Sequence, residues 1–361
     1  MRKSMPGFGP PTRSLNLNHR ECMTSLERTL ATVKGKPCDR LPAQPMLITF
    51  AARHAGIPFG ECCKDGEKLA AAQLQTMRDF DLDILLTCSD PAREVIDMAG
   101  EESVQWYPDQ PPAIDESNAA LKNKADIRKL KRPQPSERGR MHDRIRSIEA
   151  MRREAGPGAV VVGWVEGALA LSAELRGINR IMTDMVDDPD FVEELMDLCA
   201  DVATAYAEVQ VAAGADSIGM SDAAASLMGP PYYRDLLWPR QLRILDSIRE
   251  MGSMTRLHMC GRTDDLLENM AQLPVDIYEL DFLTDLQRAR DVLGPDRCIC
   301  GNIPTLSVLV EGSADDTYRS AAESHRVCGR RHIVSPGCDA SPLTPSENIH
   351  AMVRYAKEAT P

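Results

Sequence analysis

The chain has 361 residues, 43% of them hydrophobic, and a formal net charge of −12. That length holds one large domain or two ordinary ones, and the acidic balance excludes general nucleic-acid binding, which needs a basic surface. No apolar run approaches the roughly 18 residues of a membrane-spanning helix, so no membrane partner is expected.

Residues 1–20 carry Arg2, Lys3, Pro6, Gly7, Pro10 and Pro11 without an apolar core. They read as a loose N-terminal arm, not a secretory signal. Eleven irregularly spaced cysteines suit a reducing cytosol better than a disulfide framework, so a cytoplasmic location is expected. Met23 to Val33 reads as a helix capped by Thr24 or Ser25, with Leu26, Leu30 and Val33 on one face. Short apolar runs then alternate with helical patterns. The runs are Pro45 to Phe50, Leu82 to Cys88, Ala159 to Val165, Ser217 to Met220, Met254 to Met259, Ile277 to Leu280, Cys298 to Cys300 and His332 to Val334. Helical patterns lie at Glu67 to Phe80, Met141 to Ala155, Asp188 or Pro189 to Ala213, and Trp238 to Glu250. Short buried strands alternating with helices call for a parallel sheet. Eight such units predict a closed (β/α)8 TIM barrel, α/β in class, as one domain over 21–361 with a polar, Pro-rich insertion near 106–140.

Such barrels place their chemistry at the C-terminal strand ends. The residues just past each run are Arg53 and His54, Asp90, Glu166, Asp222, His258 and Cys260, Asp281, Asn302, and Cys338. His258, Cys260 and Cys338 read as three ligands of one zinc ion. One imidazole and two thiolates suit a borderline-soft divalent ion, and three protein ligands leave a fourth position for a substrate. His258 and Cys260 are two apart, so an extended strand presents both on one side. Asp90, Asp222 and Asp281 stand equally well as helix caps or as substrate contacts. The basic stretch Lys122–Arg153 fits the solvated face of an outer helix better than a docking site for an acidic partner.

These residues also carry a resemblance. His258-Met259-Cys260-Gly261, Cys300-Gly301-Asn302-Ile303, Ser335-Pro336-Gly337-Cys338 and Thr344-Pro345-x-x-Asn348-Ile349 resemble the uroporphyrinogen decarboxylase superfamily. Within it, they resemble the zinc-dependent methylcobalamin:coenzyme M methyltransferases and their bacterial relatives. The likeness runs from about Ser25 to Ala356. It implies a (β/α)8 barrel in which His258, Cys260 and Cys338 hold zinc and catalyse methyl transfer between a corrinoid and a small thiol or other small methyl donor or acceptor. It implies a corrinoid protein as partner, docking on a barrel mouth with an apolar rim. Asp281 or Glu166 is a candidate fourth ligand or support for His258. Two departures stand out. The decarboxylase motif Arg-x-Ala-Gly-Arg-Tyr reads Arg53-His54-Ala55-Gly56-Ile57-Pro58 here, and Arg262 stands where the relatives usually have Asn after His-x-Cys-Gly. The alternatives are a decarboxylase-type lyase acting on a tetrapyrrole, for which Asp90 of Cys88-Ser89-Asp90 occupies the family's aspartate position, and a non-catalytic corrinoid-binding member.

Overall fold

The structure is a computed structural model that describes residues 22–361; the expected arm at 1–20 lies outside them. In chain order the strands are β1 (Leu85–Leu86), β2 (Val104–Gln105), β3 (Ala113–Ile114), β4 (Val161–Glu166), β5 (Ser217–Ser221), β6 (Met254–Met259), β7 (Ile277–Leu280), β8 (Cys298–Cys300) and β9 (His332–Ile333). Seven of them form one parallel sheet in the order β1-β4-β5-β6-β7-β8-β9. The remaining barrel position is filled by the segment 42–44. Val334 N donates to Pro42 O (2.9 Å) and Gln44 N to Val334 O (3.0 Å) on one side, and Asp83 N donates to Ala43 O (2.9 Å) on the other. The sheet therefore closes on itself, as eight strand–helix units require.

The first unit departs from the expected Pro45 to Phe50 strand. Pairing is made by 42–44, and Thr49–His54 is already helical. The cause is a tertiary contact. The Asp339 carboxylate, 291 residues beyond Ile48, accepts the Ile48 N–H at 2.7 Å, and its other oxygen accepts the Thr49 hydroxyl at 3.1 Å. Those bonds hold the start of the helix, so the apolar residues after Met46 leave the sheet.

Elsewhere local sequence and fold agree. Thr24 and Glu27 form a capping box on the helix Ser25–Val33. Asp188 caps Pro189–Ala212, with proline in its first turn. Strands β4 and β5 are buried along their whole length, because helices cover one face and the barrel interior fills the other. A polar cluster crosses that interior. Arg256 of β6 bonds to Glu279 of β7 and to Gln44. Gln44 and β6 are not neighbours in the sheet, so this contact spans the lumen. The stretch 106–140 holds β3, which pairs with β2, and two 3-10 turns; within it Ala119, Leu121 and Ile127 are buried.

Of the basic stretch, Arg144 is buried and donates to the carbonyls of Cys62 and Cys63, Arg140 pairs with Asp90, and Arg152 with Asp216. These cations are spent inside the chain, and the expected fully solvated face is corrected to that extent.

Candidate metal centre

Strand β6 carries Leu257 and Met259 outward into the helix layer, where both are buried, and turns Arg256 and His258 inward. Register sets His258 between Ser221 of β5 and Glu279 of β7. Cys260 lies one residue past the strand. Its loop is fixed from the next unit: Gly261 N donates to Asp281 Oδ2 (2.8 Å), and Thr284 Oγ1 donates to Gly261 O (3.2 Å). Gly261 has φ +86°, a left-handed conformation that a glycine adopts without strain.

Cys338 arrives from β9 through a run tied to Ile303, in the loop after β8. Ile303 N donates to Ser335 O, and Gly337 N to Ile303 O. Gly337 packs directly on the backbone after β7, where an added Cβ would lie 2.4 Å from Phe282 N. Beyond Cys338, Asp339 is held by Ile48 and Thr49. The cysteine is thus fixed by anchors from three other units.

The result is a tight cluster of donor atoms. His258 Nε2 lies 3.3 Å from Cys260 Sγ and 3.7 Å from Cys338 Sγ, and the two sulfurs are 3.9 Å apart. Among the described residues this is the one group of three or more His, Cys, Asp or Glu whose ligand atoms lie within 4.8 Å of one another. Tetrahedral zinc, with bonds of about 2.3 Å to sulfur and about 2.0–2.1 Å to nitrogen, requires S–S edges of about 3.8 Å and N–S edges of about 3.5 Å. The observed triangle matches these edges, so the donor set fits the ion. His258 Nδ1 lies 3.2 Å from the Glu279 carbonyl oxygen. A carbonyl only accepts, so Nδ1 carries a proton, and a metal ion in the triangle would take the Nε2 lone pair, the tautomer a ligand needs.

The electrostatics without metal describe the same site. A hydrogen bond from the Cys260 thiol, with the His258 ring beside it, pulls the Cys338 thiol down to about 4 against the effect of burial. That hydrogen bond and burial push Cys260 upward. Burial disfavours the His258 cation, but the Cys338 sulfur outweighs it and lifts the imidazole to about 9. A thiolate beside an imidazolium is the state a soft dication would displace, releasing protons.

The other strand-end residues fall into three groups. Asp222 is fully buried and caps the helix Ala168–Arg176 of the preceding unit: its Oδ1 accepts Leu169 N and Ala170 N, and its Oδ2 accepts Gln241 Nε2. Asp90 caps the helix that follows it through Ala92 N and pairs with Arg140 at 2.6 Å. Both oxygens of Asp281 accept backbone N–H groups, from Gly261 and Leu283, and Asn302 donates to the carbonyls of Asp281 and Thr284. These residues build the rim. Glu166 faces the mouth, 3.3 Å from Arg93; burial pushes its carboxyl up to about 8 against the Arg93 charge. Arg53 and His54 are not at a strand end. They end the helix Thr49–His54, where Arg53 donates to Pro342 O and His54 bonds to Asp79. Sequence reasoning missed Arg93, Glu94 and Asp339. Arg93 and Glu94 look like the solvated face of an amphipathic helix, and only tertiary packing buries them; Asp339 stood next to a singled-out cysteine.

Comparison with known proteins agrees with this architecture. The family described as uroporphyrinogen decarboxylase (URO-D) matches residues 24–359. The chain belongs to the uroporphyrinogen decarboxylase family. Among family members, it is 30% identical over 225 residues to the methylcobamide:CoM methyltransferase MtaA of Methanosarcina barkeri, a match covering 62% of this chain and 65% of that protein. It is 27% identical over 348 residues to MtbA of Methanosarcina acetivorans, covering 92% and 98% of the two chains. A uroporphyrinogen decarboxylase of Gloeobacter violaceus is 27% identical over 221 residues. The fold matches a solved methyltransferase from Methanosarcina mazei with a TM-score of 0.84 at 24% identity, covering 93% of this chain and 99% of that one. Within the family frame, Arg262 points outward: its side chain is 75% exposed and lies 3.7 Å from Asp264.

Proposed function

We propose that the protein is a zinc-dependent methyltransferase that moves a methyl group between a corrinoid, carried by a partner protein, and a small thiol. The observation that carries this reading is the triangle of His258 Nε2, Cys260 Sγ and Cys338 Sγ at one strand-end rim, in a chain similar to methylcobamide:CoM methyltransferases. Zinc held there would favour the thiolate of a substrate thiol at neutral pH. The chain's own part is to hold the donors. Glu279 O fixes the His258 tautomer, Asp281 fixes the Cys260 loop, and Asp339 and Gly337 fix Cys338. In the transfer, a sulfur lone pair forms the new S–C bond as the C–Co bond breaks, its electron pair staying with the corrinoid cobalt. The reverse reaction uses the same groups.

Support for a docked partner comes from the rim. Leu227, Leu283, Leu306 and Leu343 each lie in a loop following a barrel strand, and each is between 49% and 66% exposed. Leucines exposed this far around a functional mouth suit a protein contact. No helix among the described residues is long and apolar enough to cross a membrane. Cys260 and Cys338 form no disulfide, in keeping with the proposed cytoplasmic setting.

The test is metal analysis followed by a spectral assay. Purified protein is expected to hold about one zinc per chain, and Cys260→Ser or Cys338→Ser to lose it. Mixed with methylcobalamin and a panel of thiols, the protein should convert the methylated corrinoid spectrum to the demethylated one. A metal-free protein that decarboxylates uroporphyrinogen would overturn the proposal.

A further inference from the structure

The wall beside the metal ligands carries more carboxylates than cations. Glu166 ends β4; register sets it beside Ser221, which lies beside His258. Glu94 and Glu166 share a single guanidinium, that of Arg93. Glu174, on the helix Ala168–Arg176, has no hydrogen bond or ion pair among the described residues, and its buried Oε2 has no partner. Glu94, 1% exposed, likewise leaves its Oε2 without one. Burial, with Glu166 and Glu94 nearby, pushes the Glu174 carboxyl well above the usual range. This corner of the molecule is short of positive charge.

Glu174 also lines a cavity of about 300 Å³, a volume suited to a small ligand. The other walls are apolar: Ile114, Ala170, Ala173, Ile178, Ala224 and Leu227. Glu116 at its edge is engaged by Asn179 and, through its backbone, by Arg180. No Lys, Arg or His lines the cavity. Ala223 and Ala224 follow Asp222, whose N–H donates to His258 O at 3.0 Å, so two lining residues belong to the loop after β5, the strand paired with β6. Apolar walls desolvate a ligand, and a cation that enters draws the Glu174 carboxyl to its ionised form, the proton leaving to solvent.

We propose that this cavity binds a small alkylated cation, an ammonium or sulfonium group, with Glu174 as its counter-ion. Joined to the function proposed above, on which this clause rests, the cation is the tail of the substrate thiol, and an anionic tail finds no Lys, Arg or His in the cavity wall to pair with.

Three probes of similar shape and without a thiol test the site independently of metal: choline, its neutral isostere 3,3-dimethylbutan-1-ol, and 2-hydroxyethanesulfonate. Calorimetric titration into the full-length protein should show choline binding about tenfold or more tightly than the neutral alcohol, the range expected for a desolvated charge pair. The sulfonate should not bind. Glu174→Gln should bring choline and the alcohol level. Ala173→Leu, which narrows the cavity and leaves the carboxylate, should weaken both probes, and serves where Glu174→Gln does not fold. Cys260→Ser should leave choline binding intact, so a failed metal site and a failed cation site give different results. Equal binding of choline and the alcohol, preference for the sulfonate, or unchanged choline binding in Glu174→Gln would each overturn the proposal.

Discussion

Asp281 offers the sharpest test of how the rim is built. Both carboxylate oxygens are occupied at 2.8 Å, Oδ2 by Gly261 N and Oδ1 by Leu283 N. On that geometry it is a brace for the Cys260 loop, not a free metal ligand. In Asp281→Asn, one acceptor oxygen becomes an NH2 group that faces an N–H donor. One hydrogen bond to a charged acceptor is lost, worth about 1.5–3 kcal/mol. Both donors are only partly buried and water can replace part of the loss, so the lower end applies, about 1–1.5 kcal/mol for Asn and about 2–3 kcal/mol for Ala, which loses both bonds. Where that energy holds Cys260 in place, zinc affinity falls about tenfold in Asp281→Asn and more in Asp281→Ala. Stoichiometry stays near one, because the three donors remain. The assay is chelator competition for zinc alongside urea unfolding of the metal-free protein. An Asp281→Asn protein with wild-type stability and affinity would refute the brace. Complete loss of zinc in a folded Asp281→Asn protein would show that the carboxylate is a ligand after all.

Three further predictions follow from the site. In metal-free protein the Cys338 sulfur, pulled down to about 4 by the Cys260 hydrogen bond and His258, is a thiolate at neutral pH and gains its proton as pH falls through about 4. Iodoacetamide at pH 6 should therefore label Cys338 ahead of Cys260, and added zinc should protect it; mass spectrometry showing even labelling of the two would contradict this. Gly337→Ala puts a Cβ 2.4 Å from Phe282 N, about 1 Å inside ordinary contact, and should cost about 1–3 kcal/mol by overpacking while displacing Cys338. Thermal unfolding should drop by several degrees with zinc affinity reduced, and an unperturbed variant would show that the backbone yields freely there. Leu283→Asp with Leu343→Asp, on exposed rim positions, should slow transfer with a corrinoid protein and leave free methylcobalamin turnover unchanged; equal loss with both would remove the rim from partner docking.

Much of this architecture is written locally. Strands β6, β7 and β8 and the helix Trp238–Glu250 fall on the apolar patterns that predict them, because a buried parallel strand needs a short run of apolar residues and an outer helix needs a stripe. The capping box of Thr24 and Glu27 is likewise a contact between residues three apart. The first unit was not legible, because the Asp339 bonds that start its helix at Thr49 come from the far end of the chain. Nor was the burial of Arg93, Glu94 and Arg144, each of which looks in sequence like an ordinary surface charge.

By itself, the order of residues determined a closed parallel barrel and the donor types near its rim, since strand periodicity and ligand chemistry are properties of short segments. Only the tertiary structure decided that one imidazole and two sulfurs form a triangle of zinc's dimensions, and that Glu174 lines a cavity whose walls hold no Lys, Arg or His. Those outcomes depend on distances between units far apart along the chain, and such distances are set by strand register and by backbone packing as close as that of Gly337 on Phe282.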